Sequence, residues 1–214
     1  MKRILVLAAL LTLAAPSIAA GPNPVGRYRL TGEQDAASEL IIRKDGHFAY
    51  ALAYGALDEQ AEGRWRREGG RIYLTTEPKP VPAAFAAGEA TRTDETPLRL
   101  RVVWDGTDRG VATVDLRVGF TDGGTVEDYT QEDGWSLDPA ETRKPAWVEL
   151  WLGMFGLPPT RFPVDPARWN SLTFRLIPHD LGTYDFEDMQ LDIAPGRLVM
   201  HRGEALLVYQ RLGK

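Results

Sequence analysis

The sequence predicts an all-β protein built from two units behind an export leader. Three observations carry that expectation. Apolar and polar residues alternate at period two along most of the chain, which is the signature of strands with one buried face. Asp-Gly and Gly-Gly pairs separate these runs, where hairpins need positive φ. The first twenty residues join Lys2-Arg3 to an apolar run from Ile4 to Ala15, then Pro16 and the small residues Ser17-Ile18-Ala19-Ala20.

That opening is a secretory leader, residues 1–20, with cleavage expected after Ala19 or Ala20. Its apolar run of about twelve is short of the ~20 residues a spanning helix needs. No membrane span is expected after cleavage, and the product is expected to be periplasmic or secreted. Cleavage removes Lys2 and Arg3, taking the net charge from -5 to -7. A chain with 25 basic and 30 acidic residues is a poor general ligand for nucleic acid, whose affinity rests on phosphate neutralisation. With no cysteine, thiol catalysis, disulfides and Cys-ligated zinc are excluded. The 43% hydrophobic and 26% charged content rules out collagen, coiled coil and long disorder. A mature chain of this size buries about 70% of its unfolded surface without disulfide staples.

The first unit, 21–82, opens with Gly26-Arg27-Tyr28. Residues 39–43 and 47–54 flank Lys44-Asp45-Gly46, a hairpin. In the second of these strands Phe48, Tyr50, Leu52 and Tyr54 share one face, the expected core. His47, Ala49, Ala51 and Ala53 share the other, an alanine face expected to lie under a neighbouring segment. Gly63 to Arg67 and Arg71 to Thr75 form a second hairpin about Gly69-Gly70, anchored by Trp65, Ile72 and Leu74. Residues 77–97 are rich in Pro, Ala, Gly and Thr. Pro78, Pro80 and Pro82 exclude a central strand, and 83–97 reads as a linker.

The second unit, 98–189, has strands at 98–104, 111–120 and 126–130, with turns at Asp105-Gly106 and Asp122-Gly123-Gly124. In 146–152 Ala146, Val148, Leu150 and Leu152 alternate with Trp147, Glu149 and Trp151. Both parities are bulky, so both faces are expected to be covered. Asp165-Pro166 starts a helical turn at 165–170. Residues 171–177, 198–201 and 205–210 are the last strands.

The residues from Gly26-Arg27-Tyr28 through Gly63-Arg64-Trp65 to Leu74-Thr75 resemble small lipocalin-like exported barrels, with Tyr28 where typical lipocalins have Trp. Val111 to Leu137, with Asp122-Gly123-Gly124 and Thr130-Gln131-Glu132-Asp133-Gly134-Trp135, resembles the carboxypeptidase regulatory-like β-sandwich. As a whole the chain is similar to a group of uncharacterised exported proteobacterial proteins. The resemblances imply a small barrel or half-barrel joined to a sandwich-like unit, in binding or structural roles. The first half offers about four strands, too few to close a barrel of about eight. Residues 190–212 either return to complete it, making the sandwich an insertion, or the two domains follow one another.

Catalytic and metal constellations are sparse. His47, His179 and His201 have no local metal spacing. His179-Asp180 reads either as a base with its orienter, for a hydrolase, or as a Pro-His-Asp-Leu-Gly turn in which Asp180 bonds its own backbone; the turn is preferred. Ser38, Ser136 and Ser171 lie outside any nucleophile elbow. Asp185, Glu187 and Asp188 read as a solvated turn rather than a calcium loop. No cofactor, metal or catalytic residue is assigned. The aromatic residues are more suggestive. Trp147, Trp151 and Phe155 recur every four residues and either stack on a ligand or fill the space between sandwich and barrel. Within a barrel, Tyr28, Tyr50, Leu52, Trp65 and Leu74 would line a cavity for a small apolar ligand. The candidate binding residues are thus Trp147, Trp151, Phe155, Tyr50 and Trp65. The expected partner is a protein, a glycan or a small apolar molecule, and the expected role is a non-enzymatic exported binding or envelope-associated module.

Overall fold

A computed structural model describes residues 22–94 and 97–213; the leader lies outside them. The strands run β1 (Gly26–Thr31), β2 (Ala36–Ile42), β3 (His47–Tyr54), β4 (Leu57–Glu68) and β5 (Arg71–Thr76), then β6 (Ala84–Thr91), β7 (Arg99–Trp104), β8 (Asp115–Phe120) and β9 (Thr125–Tyr129). They continue with β10 (Trp135–Ser136), β11 (Pro145–Leu152), β12 (Leu157–Pro163), β13 (Ser171–Ile177), β14 (Met189–Ala194), β15 (Arg197–Arg202) and β16 (Ala205–Arg211). No described helix is long and apolar enough to cross a membrane.

Eight strands close a barrel in the order β1-β16-β15-β14-β5-β4-β3-β2. The chain supplies β1 to β5, leaves for more than a hundred residues, and returns with β14 to β16. Leu191 pairs with Ile72 at one seam, and Leu30 with Tyr209 at the other. Closure removes the free edges that five strands alone would expose. Period-two alternation sends Leu40, Ile42, Phe48, Tyr50, Ile72, Leu74, Leu191, Leu198, Met200 and Tyr209 inward, where they are buried. The Asp45-Gly46 turn forms as expected: Gly46 has φ 86, and the Asp45 carboxylate accepts the His47 N–H at 3.0 Å.

One barrel end is shut by its own chain. Arg211 donates to the Tyr28 hydroxyl at 2.6 Å and to the Val25 carbonyl at 2.9 Å, while the Tyr28 hydroxyl donates to Pro24. The interior is filled by Phe186, which the returning connector delivers. Its ring is fully buried and lies 5.0 Å from Tyr50 and 5.7 Å from Phe48.

Between the barrel halves, two four-stranded sheets, β10-β7-β13-β6 and β12-β11-β8-β9, face each other as a sandwich. Leu100, Val102, Leu116, Val118, Val148, Leu150, Phe174 and Leu176 fill its core. Thr130 is fully buried: its hydroxyl donates to the Val111 carbonyl at 2.7 Å and accepts the Val114 N–H at 3.2 Å, tying the turn after β9 to the segment before β8.

The expected linker at 83–97 is corrected. Residues Ala84–Thr91 are β6, the edge strand paired with β13, with Leu176 opposite Phe85 and Arg175 opposite Ala86. The prolines stop at Pro82, before the strand. Alanine and glycine give little alternation to read, and an edge strand needs only one ladder of hydrogen bonds. The true connectors are residues 77–83 and 178–188. They are tied together where the Asp180 carboxylate accepts the Val81 N–H at 2.8 Å. They dock on the barrel through Gln60, bonded to Gly182 and Tyr184, and Thr76, bonded to Phe186.

Candidate functional site

Strand β11 turns Val148, Leu150 and Leu152 into the sandwich core and Trp147, Glu149 and Trp151 outward. The neighbouring strands extend that outer face into a grid of three rows. Thr125, Gly119, Trp147 and Pro163 lie side by side across β9, β8, β11 and β12. Next come Glu127, Arg117, Glu149 and Arg161, and then Tyr129, Asp115 and Trp151. Successive rows are about 7 Å apart, two residues of strand rise.

The middle row is a ladder of alternating charge. Arg117 donates to Glu127 at 2.6 Å and to Glu149 at 3.1 Å, and Arg161 donates to the other oxygen of Glu149 at 2.8 Å. The hydrogen bond to Glu127 raises the Arg117 pKa above its already high ordinary value, so its charge is fixed. Each arginine also covers a tryptophan: Arg161 lies 3.8 Å from the Trp147 ring centre and Arg117 5.5 Å from that of Trp151. Beneath Trp147 sits Gly119, where an added Cβ would fall 2.0 Å from the indole. Only glycine lets the ring lie this flat on β8. The tryptophans therefore neither fill the space between sandwich and barrel nor stand bare. They are held half-exposed on an ordered outer face.

The third row opens into a recess of about 280 Å³ lined by Thr113, Asp115, Tyr129, Leu152 and Met154. Tyr129 is 51% exposed and Met154 44%, high for side chains of this size. Asp115 accepts the Gly153 N–H at 3.1 Å.

The other candidate residues lie elsewhere. Phe155 ends the 3-10 turn Gly153–Phe155, packs on the sandwich core, and lines a separate cleft of about 390 Å³ with Val81, Pro158 and Leu181. Trp65 donates its indole N–H to the Arg43 carbonyl at 2.9 Å, on the barrel. Tyr50 points into the barrel, where its hydroxyl accepts from Arg202 at 3.2 Å beside the Glu59–Arg202 ion pair of 2.8 Å. Burial pushes the Tyr50 phenol pKa up, so it stays protonated. The five candidates thus occupy four places, and only Trp147 and Trp151 share one.

Where a cavity lined by Tyr28, Tyr50, Leu52, Trp65 and Leu74 was expected, the buried Phe186 ring packs against Phe48 and Tyr50 within the barrel core. A cleft of about 730 Å³ lies instead on the outer wall over Ala37, Ala51 and Ala53, flanked by Arg29, Asp58 and the connector residue Leu181. The alanine face is therefore bordered by a neighbouring segment rather than covered. Asp180 does bond backbone, though that of Val81 rather than its own. The Asp185, Glu187 and Asp188 carboxylates meet bases: Lys79 pairs with Asp185 and Glu187, and Arg66 with Asp188.

Sequence reading missed Arg117, Glu149, Arg161, Asp115 and Tyr129. Glu149 shares parity with both tryptophans, which marks it as their neighbour. The other four become neighbours only through strand pairing.

Compared with protein-family models, with curated proteins and with solved structures, the chain gives no match.

Proposed function

We propose that this chain is a non-enzymatic, exported binding module, periplasmic or secreted and envelope-associated, that recognises its partner with the outer face of the β12-β11-β8-β9 sheet. One observation carries the reading. The sandwich core is complete without Trp147, Trp151 and Tyr129, yet the sequence places all three on one outer face and orders two of them with arginines. These rings lie outside the core cluster, and partly exposed tryptophan and arginine are among the anchors most favoured in recognition surfaces. The non-enzymatic part is supported by Asp180, whose carboxylate is engaged by the Val81 N–H rather than by His179.

The Trp147→Ala/Trp151→Ala double variant is the test. The wild-type chain should co-sediment with the envelope fraction of its native host and the double variant should remain in the supernatant. Each exposed arginine–indole contact is worth about 0.5–1 kcal/mol, so the melting temperature should drop only a few degrees. A loss of about 3–5 kcal/mol per tryptophan would mean a core role, and unchanged sedimentation would remove the face from recognition.

Export rests on the leader, residues 1–20. Mass spectrometry of the protein from its native host should find the N-terminus at Ala20 or Gly21. A chain that keeps Met1 would overturn export with cleavage.

A further inference from the structure

The Tyr129–Asp115–Trp151 row combines three features. Asp115 carries a carboxylate that makes no ion pair among the described residues. Its neighbour along the strand, Arg117, is taken by Glu127 and Glu149. Asp115 is also flanked by rings, since Tyr129 and Trp151 are its directly opposed partners on the two adjoining strands. Neighbouring strands lie about 4.8 Å apart, so an aromatic ring stands on each side of the carboxylate. Finally, the recess of about 280 Å³ beside it is walled by Leu152 and the exposed Met154, with the Thr113 hydroxyl at its rim.

An anion is repelled by this carboxylate. Beyond the Gly153 N–H it accepts, the carboxylate has room for a further partner, and a neutral ligand makes no use of its charge. A cation with methyl or methylene groups suits this lining: the carboxylate takes the charge, the exposed Tyr129 ring attracts it, and the Met154 thioether meets its carbons. Resting on the reading of this sheet face as the recognition surface, we propose that the recess at Asp115 binds an organic ammonium group of the ligand, quaternary or alkylated.

The test uses the full mature chain and three probes: choline, its uncharged carbon isostere 3,3-dimethylbutan-1-ol, and Nα-acetyl-lysine amide. Saturation-transfer NMR and tryptophan fluorescence read the binding. Choline should bind saturably, and the isostere about tenfold or more weakly. Tightest binding by choline assigns the recess to a quaternary headgroup, and tightest binding by the lysine amide to a primary ammonium; either supports the proposal. Asp115→Asn should weaken the preferred probe about tenfold while leaving the melt unchanged, and Tyr129→Ala should weaken it as well. Equal binding of the isostere, full affinity in Asp115→Asn, or binding of an N-acetylglucosamine oligomer but of neither cation would overturn it. If the cations fail while the double tryptophan variant still loses envelope sedimentation, the ammonium assignment falls and the recognition face stands.

Discussion

Phe186→Ala is expected to destabilise the barrel by about 3–5 kcal/mol, the range for emptying a large buried aromatic site. The ring is fully buried and meets Phe48, Tyr50 and Tyr184. The backbone around it is fixed as well. The Thr76 N–H donates to the Phe186 carbonyl, and the Phe186 N–H donates to the Thr76 hydroxyl, each at 2.9 Å. The site cannot collapse readily, because the ring arrives on a connector and the barrel wall around it is hydrogen-bonded on every side. The loss should therefore stand near the upper part of that range and leave a cavity between Phe48 and Tyr50. Urea unfolding followed by tyrosine and tryptophan signals measures the loss. A small apolar probe such as benzene should bind the variant and not the wild type. A cost under about 1 kcal/mol with no probe binding would show that the barrel core does not depend on this residue.

Removal of residues 196–214 should unfold the first half of the chain. The deletion takes away β15 and β16, exposes the edges of β1 and β14, and removes Leu198, Met200 and Tyr209 from the barrel core. It also removes Arg211, which holds Tyr28 and the Val25 carbonyl at the shut end. What remains is a curved, open sheet with half a core, and conformational entropy of about 1–2 kcal/mol per ordered residue is then uncompensated. A fragment of residues 21–90 should be unfolded for the same reason. Amide exchange on both chains decides. Slow exchange through residues 26–76 in either would show that β1 to β5 fold without the returning strands.

The sequence alone determined the class and much of the local structure. Alternation places Phe48 and Tyr50 on one face of β3 and Val148 and Leu150 on one face of β11, because the two-residue period of a strand is written directly in side-chain polarity. Asp45-Gly46 and Asp122-Gly123 mark turns because few other residues tolerate their backbone. Ala84–Thr91 was illegible for the opposite reason: small side chains carry no alternation, and only pairing with β13 makes the segment a strand.

Tertiary structure decided everything that depends on which strands become neighbours. Nothing local in Leu191 or Tyr209 names Ile72 or Leu30 as its partner; closure selects them, because an open barrel leaves edges and apolar surface in water. Phe186 sits in an unremarkable acidic turn, Tyr184-Asp185-Phe186-Glu187, and becomes the centre of the barrel only because the sandwich returns the chain over that opening. The binding face follows the same rule. Trp147, Glu149 and Trp151 were readable as one side of one strand. Arg161 over Trp147, Arg117 between two glutamates, and Asp115 between Tyr129 and Trp151 exist only across strands, where register rather than sequence spacing sets the distance.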